Sequence, residues 1–161
     1  MATVNKNLST YDKATIPNAK DFRFGIVVSE WNDNITEGLY NGAVEALTEN
    51  GVTEDNIIRW NVPGSYELVY GSKHLLKTQN VDAIIAIGSV IQGETKHFDF
   101  VCSATAHGIQ ELNVQFDTPV IFCVLTDNTL QQAIDRSGGK HGNKGVEAAI
   151  AAIKMAALRA L

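Results

Sequence analysis

The sequence has no long apolar run. Nothing in its 161 residues approaches the roughly 20 consecutive apolar residues that a membrane-spanning helix needs. Residues 1–20 mix Asn, Thr, Lys and Asp without the apolar centre of a secretory signal, which predicts a cytoplasmic protein. Cysteine is scarce too. Cys102 falls in a helical pattern and Cys123 in a strand pattern, both among apolar neighbours, so they read as packed thiols rather than as a disulfide or a nucleophile. The four histidines (His74, His97, His107, His141) form no i, i+4 pair and no Cys/His ligand spacing, so no metal site is expected. Positive charge is in deficit, with 13 Lys and Arg against 18 Asp and Glu and a net charge of -5. That balance argues against general binding of nucleic acid or an anionic membrane, although a local basic cluster could still hold one anion.

What remains is the composition of an ordinary globular domain, 45% hydrophobic and 19% charged, in a chain long enough to bury one core. After a polar N-terminal arm (residues 1–21), residues 22–29 read as a buried strand. Asn32-Asp33-Asn34 offer capping groups for a helix with Ile35, Leu39, Ala43 and Leu47 on one face and Gly51 beyond its end. Residues 56–62 form a second strand closed by Pro63-Gly64, and Leu68, Val69, Leu75 and Leu76 mark the next amphipathic helix. Residues 81–87 are nearly all apolar, and Gly88 is expected to end that strand. Phe98, Val101, Cys102, Thr105, Ile109 and Leu112 then keep helical spacing.

A fourth strand over residues 120–125 runs into the capping set Thr126-Asp127-Asn128 and a short helix with Leu130 and Ile134. Ser137-Gly138-Gly139 then precede a final helix with Val146, Ala149, Ile150 and Ile153 on one face. Strands apolar throughout, alternating with helices, require right-handed crossovers and a parallel sheet covered on both faces. The predicted class is α/β, a three-layer α/β/α sandwich around a four-stranded parallel sheet, formed as a single domain by residues 22–161.

Ligands of such sheets bind beyond the carboxyl ends of the strands, which selects Trp31-Asn32, residues 63–67, residues 88–97 and the stretch after Phe122. Each residue has a plain reading beside a functional one. Trp31 either fills the core or stacks on a planar heterocycle, with Asn32 offering hydrogen bonds. Glu67 suits the dipole of a first helical turn whether or not it has a role. His97 is either a helix-terminus residue or a proton carrier near neutral pH.

The run Gly88-Ser89-Val90-Ile91-Gln92-Gly93-Glu94-Thr95-Lys96-His97 is more specific as a unit. Its glycines let backbone pass close to a ligand, and amides around Glu94-Thr95 would open a helix whose N-terminus attracts phosphate. A second cluster, residues 136–145, gathers Arg136, Lys140 and Lys144 in an acidic chain. It is not a P-loop, because its Gly-to-Lys spacing fails and no Ser or Thr follows Lys144. It reads either as a solvated loop or as an Arg-based phosphate clamp.

Four segments, in this order and spacing, resemble the lumazine synthase family: Gly25-Ile26-Val27-Val28 with Trp31-Asn32, Val62-Pro63-Gly64-Ser65-Tyr66-Glu67, residues 88–97 with Phe98-Asp99, and Gly142-Asn143-Lys144-Gly145. The resemblance covers nearly the whole chain and implies a flavodoxin-like fold. It also implies a transferase of riboflavin biosynthesis. Such an enzyme condenses 5-amino-6-(D-ribitylamino)uracil with 3,4-dihydroxy-2-butanone 4-phosphate to give 6,7-dimethyl-8-ribityllumazine, phosphate and water. Neither redox cofactor nor metal is implied.

By the same resemblance, Trp31 would stack on the pyrimidine, and Asn32, Ser65, Tyr66, Glu67, Ser89, Val90 and Ile91 would hold the pyrimidine and ribityl chain. Amides of Glu94 and Thr95, with Arg136, would bind phosphate, and His97 would transfer protons. Phe122, Arg136 and Lys144 match positions that family members present to a neighbouring subunit's site. The chain departs from the commonest pattern at Trp31, often Phe, and at Ser65-Tyr66, often Ala-Phe. Glu94 puts a carboxylate beside the expected phosphate, tolerable only if the backbone makes the contact.

The resemblance further implies a pentamer. The compact turn at residues 138–142 favours a 60-subunit shell, for which riboflavin synthase is a candidate partner. The arm from Val4 to Leu8 is expected to add a strand to a neighbour's sheet. Competing readings are a flavodoxin-like module that binds flavin or lumazine without catalysis, a shell protein with a decayed site, and a relative of the archaeal riboflavin synthases.

Overall fold

The computed structural model describes residues 7–161. Its centre is a parallel sheet in the order β2-β1-β3-β4, built from β1 (Phe24–Ser29), β2 (Ile57–Val62), β3 (Ala83–Ile91) and β4 (Val120–Asp127). Helices α1 (Asp33–Glu49), α2 (Leu68–Thr78), α3 (His97–Gln115), α4 (Leu130–Arg136) and α5 (Lys144–Arg159) make the crossovers and cover. The strand period of two divides the side chains between faces. Phe24, Ile26, Val28, Ile85 and Ile87 pack with Ile35, Leu39 and Leu47 of α1 and Ile153 of α5. Val27, Ile84, Ala86 and Val124 pack with Leu68 and Leu75 of α2 and Ile109 and Leu112 of α3. Two apolar clusters, one on each side of the sheet, make the expected α/β/α sandwich.

All six residues of β1 are buried, as a strand flanked by partners on both edges and helices on both faces must be. Strand β2 lies at the edge and is only half-buried. Gly51 takes φ 98 just past α1, the left-handed conformation that suits a glycine after a helix end.

Three expectations are corrected. Gly88 does not end its strand, because β3 continues three residues further, to Ile91, paired with Asp127 of β4. Glycine is required there for a different reason: a Cβ at Gly88 would stand 2.5 Å from Ser65 Oγ and 2.9 Å from Leu68 Cδ1. The short helix α4 is capped by Thr129, whose side chain accepts from Gln132 N, and not by Thr126, Asp127 or Asn128. The glycine-rich stretch before α5 forms a small antiparallel pair, β5 (Ser137–Gly139) with β6 (Gly142–Asn143).

Asn143 fastens this hairpin. Its Nδ2 donates to the Gly38 carbonyl at 2.8 Å, and its Oδ1 accepts from Gly145 N at 2.8 Å. Of the arm stretch expected to pair with a neighbour, residues 4–6 lie outside the described residues. Leu8 donates to the His141 carbonyl of its own chain at 2.8 Å.

Candidate functional site

A cavity of about 840 Å³ opens at the carboxyl ends of β1, β2 and β3, where an open parallel sheet places its ligands. The β1–β2 ladder continues past the strand ends, with Glu30 N donating to the Val62 carbonyl at 2.8 Å and Trp31 N to the Pro63 carbonyl at 3.1 Å. Those rungs hold the two post-strand loops side by side. Trp31 is 72% exposed and Tyr66 60% exposed, and both line the cavity. Core filling is thereby excluded for Trp31; its ring is available to a planar ligand.

Asn32 follows with φ 60 and ψ 48, a left-handed conformation that asparagine tolerates better than most residues. Its side chain does not cap α1. Instead Nδ2 donates to the Ser89 carbonyl at 2.9 Å, which ties the β1 loop to the end of β3. A single 3-10 turn, Ser65–Glu67, leads into α2 and aims its residues at the same space. Glu67 sits half-buried at the start of α2.

Ser65 and Ser89 are both buried, and neither Oγ has a hydrogen-bond partner in the protein. Both residues line the cavity. Buried hydroxyls are nearly always paired, so these two, just beneath the cavity wall, are candidates for a polar ligand's hydrogen bonds, whereas Ser72 Oγ is unpaired away from the cavity. Val90 and Ile91 complete the wall from β3.

The loop after β3 differs in detail from expectation. Helix α3 opens at His97, not at Glu94-Thr95, because residues 94–96 form bends and a turn before the first helical residue. Among the described residues, the amides of Gly93, Glu94, Thr95 and Lys96 donate to no group in the chain. They are therefore available to an anion as loop amides rather than as a helix terminus. Gly93, Thr95 and His97 line the cavity, whereas the exposed Glu94 between them does not, and its carboxylate stays off the wall.

Phe98, Phe100 and Val101 also line the cavity, although none of them was given a place in the site from the sequence. Phe100 carried a signal, since it is apolar but off the stripe of Thr105, Ile109 and Leu112 that α3 buries; it is 72% exposed.

Phe122, Arg136 and Lys144 are not brought to this cavity. They line a second one of about 450 Å³ alongside β4 and α4. There Arg136 Nη1 donates to the Gln132 carbonyl at 3.2 Å and lies 3.8 Å from Asp127 Oδ1. Lys144 Nζ donates to Glu147 Oε1 at 2.6 Å. One chain thus separates the expected phosphate ligands: Thr95 lines one cavity and Arg136 the other.

Among the described residues no group of three or more His, Cys, Asp and Glu side chains could hold a metal ion. No described helix is long and apolar enough to cross a membrane. Cys123 is fully buried, and burial pushes its thiol up to about 12, far from the reactive thiolate.

The sequence matches the 6,7-dimethyl-8-ribityllumazine synthase family over residues 21–160. Proteins carrying that name are similar along almost the whole length of both chains. The one from Flavobacterium johnsoniae is 76% identical over 99% of this chain and 84% of its own. The one from Christiangramia forsetii is 69% identical over 99% and 95%. The one from Porphyromonas gingivalis is 55% identical over 98% of each.

Proposed function

The chain belongs to the 6,7-dimethyl-8-ribityllumazine synthase family, and we propose that its larger cavity is where the two substrates of that reaction are joined. It is a transferase of riboflavin biosynthesis, condensing 5-amino-6-(D-ribitylamino)uracil with 3,4-dihydroxy-2-butanone 4-phosphate. The observation that carries the placement is the pair of buried, unpartnered hydroxyls, Ser65 Oγ and Ser89 Oγ, at a cavity bounded by Trp31 and Tyr66. A flat polar heterocycle with a hydroxylated chain satisfies both features.

In this reading Trp31 and Tyr66 stack on the pyrimidine, and Glu67, Ser65, Ser89 and Asn32 Oδ1 hydrogen-bond its edge and the ribityl chain. The pyrimidine amine attacks the butanone carbonyl, and loss of water gives an imine. Phosphate leaves, the resulting enol tautomerises, and the ribitylamino nitrogen closes the second ring with loss of water. His97, beside the loop amides of Gly93 to Lys96, carries protons between these steps. Holding two substrates in register supplies much of the rate, since effective molarities can reach about 10⁵–10⁸ M.

The division of Thr95 and Arg136 between two cavities supports a site completed by a neighbour. Phe122, Arg136 and Lys144 of one subunit face the larger cavity of the next, in a head-to-tail ring of five. Twelve such rings close into a 60-subunit shell, with riboflavin synthase as a candidate guest. Light scattering that finds only five-subunit particles across pH and phosphate concentration contradicts the shell.

Mixing the two substrates with the protein tests the activity. Lumazine fluorescence rising together with released phosphate is expected. Binding of the pyrimidine without either signal would instead favour a non-catalytic module of the same fold.

A further inference from the structure

Asp127 closes β4 with its two ends in different company. Its carbonyl oxygen accepts from Gln92 N at 2.9 Å, a rung to the loop beyond β3. Its side chain lines the second cavity and is almost wholly buried, the residue being only 7% exposed. Oδ1 lies 3.8 Å from Arg136 Nη1, beyond hydrogen-bond reach, and Oδ2 has no partner at all.

A buried carboxylate so poorly satisfied is costly in its ionised form. Burial accordingly pushes this carboxyl above the usual aspartate range, against the opposing pull of Arg136. The other charged residues at this cavity are Arg136 from α4 and Lys144 from α5, the latter held by Glu147. Strand β3 and helix α3 contribute none to its lining, and Asp135, beside Arg136, accepts from Gln131.

We propose that Asp127 is a proton-linked counter-ion of Arg136: ionised, it holds the guanidinium while no anion is bound, and protonated, it releases Arg136 to an oxyanion. The inference rests on reading Arg136 as a phosphate ligand. A dianion at Arg136 brings a second negative charge towards a buried carboxylate, which disfavours its ionised form. A proton taken from solvent removes that repulsion and turns the orphaned oxygen into a donor. Loss of the proton restores the repulsion and helps to expel product phosphate. Asp127 is thus a positioning residue, acting through Arg136.

Calorimetric titration of the assembled full-length protein with sulfate, a dianion throughout the neutral range, tests this. Performed in two buffers of different ionisation enthalpy, it counts protons taken up on binding. Between the titrations of Asp127 in the free and anion-bound states, sulfate affinity is expected to fall by about tenfold per pH unit. In a His97→Asn background, which removes the imidazole that would otherwise take up a proton beside the same anion, Asp127→Asn and Asp127→Ala should both abolish the proton uptake, flatten the pH profile and bind sulfate more tightly at the alkaline end. A merely structural role would change affinity without changing the proton count.

Arg136→Ala separates the two layers of the argument. If it still binds sulfate as the parent does, the phosphate-ligand reading fails and this inference with it. If it loses sulfate while Asp127→Asn in the His97→Asn background keeps that background's proton uptake, only the counter-ion inference is overturned.

Discussion

The side-chain amide of Asn32 donates to the main-chain carbonyl of Ser89 at 2.9 Å, so a left-handed residue after β1 fixes the end of β3, whose Ser89, Val90 and Ile91 form one wall of the cavity. Asn32→Gly should keep the backbone conformation and lose the hydrogen bond, at about 0.5–1.5 kcal/mol. Asn32→Ala should lose both, adding about 1–2 kcal/mol for the left-handed conformation. Urea unfolding of the two variants checks the order; equal stability would mean that the conformation carries no strain for alanine.

His97 lines the cavity one residue beyond the unengaged amides of the loop. If it moves protons while alignment supplies the rest, His97→Ala lowers kcat by about 10²–10⁴-fold and leaves measurable turnover. A folded, assembled variant with no activity above the uncatalysed reaction would show that His97 does more than transfer protons.

Gly88 packs against Ser65, which lines the cavity. An alanine there presses on Ser65 Oγ at 2.5 Å, and overpacking of this kind costs about 1–3 kcal/mol. Displacing Ser65 should raise KM for the pyrimidine by about tenfold, the worth of one neutral hydrogen bond. An unchanged KM in Gly88→Ala would remove Ser65 from the list of ligands.

At the β2 edge, Arg59 hydrogen-bonds Glu37 and also lies 4.2 Å from the Tyr40 ring centroid. The hydrogen bond from Arg59, with its attraction, outweighs burial and holds the Glu37 carboxyl below its ordinary value. A depressed folded-state value contributes stability above the unfolded carboxyl's titration near about pH 4.3, and that stability is lost as pH falls through the folded value. Glu37→Gln should therefore be less stable than the parent at neutral pH, with the gap closing in acid. A gap of constant size down to pH values well below that range contradicts the assignment.

The sheet and its cover were legible because burial on both faces leaves a direct mark: the first five of the six buried residues of β1, Phe24 to Val28, are an unbroken run without a polar side chain. Gly88 was misread because glycine signals a strand end and a close approach equally well, and only the position of Ser65 distinguishes them. The start of α3 was placed too early because residues 94–96 carry polar side chains that also suit a first turn. Asn143 was noticed only as part of a motif and Asp127 only as a capping group, since their partners at Gly38 and Arg136 are distant in sequence or brought near only by the fold. The motif residues themselves were legible, but their division between two cavities is a property of three dimensions.

That division can be tested by co-assembly. A variant broken in the larger cavity, Glu67→Ala with Tyr66→Ala, is unfolded and reassembled with an equal amount of Arg136→Ala, each nearly inactive alone. If every site joins one cavity to the Arg136 face of the next subunit, random mixing should restore about one quarter of parental activity, the share of head-to-tail contacts uniting two intact faces. Activity no greater than the sum of the two separate variants would contradict a shared site and return Arg136 to its own chain.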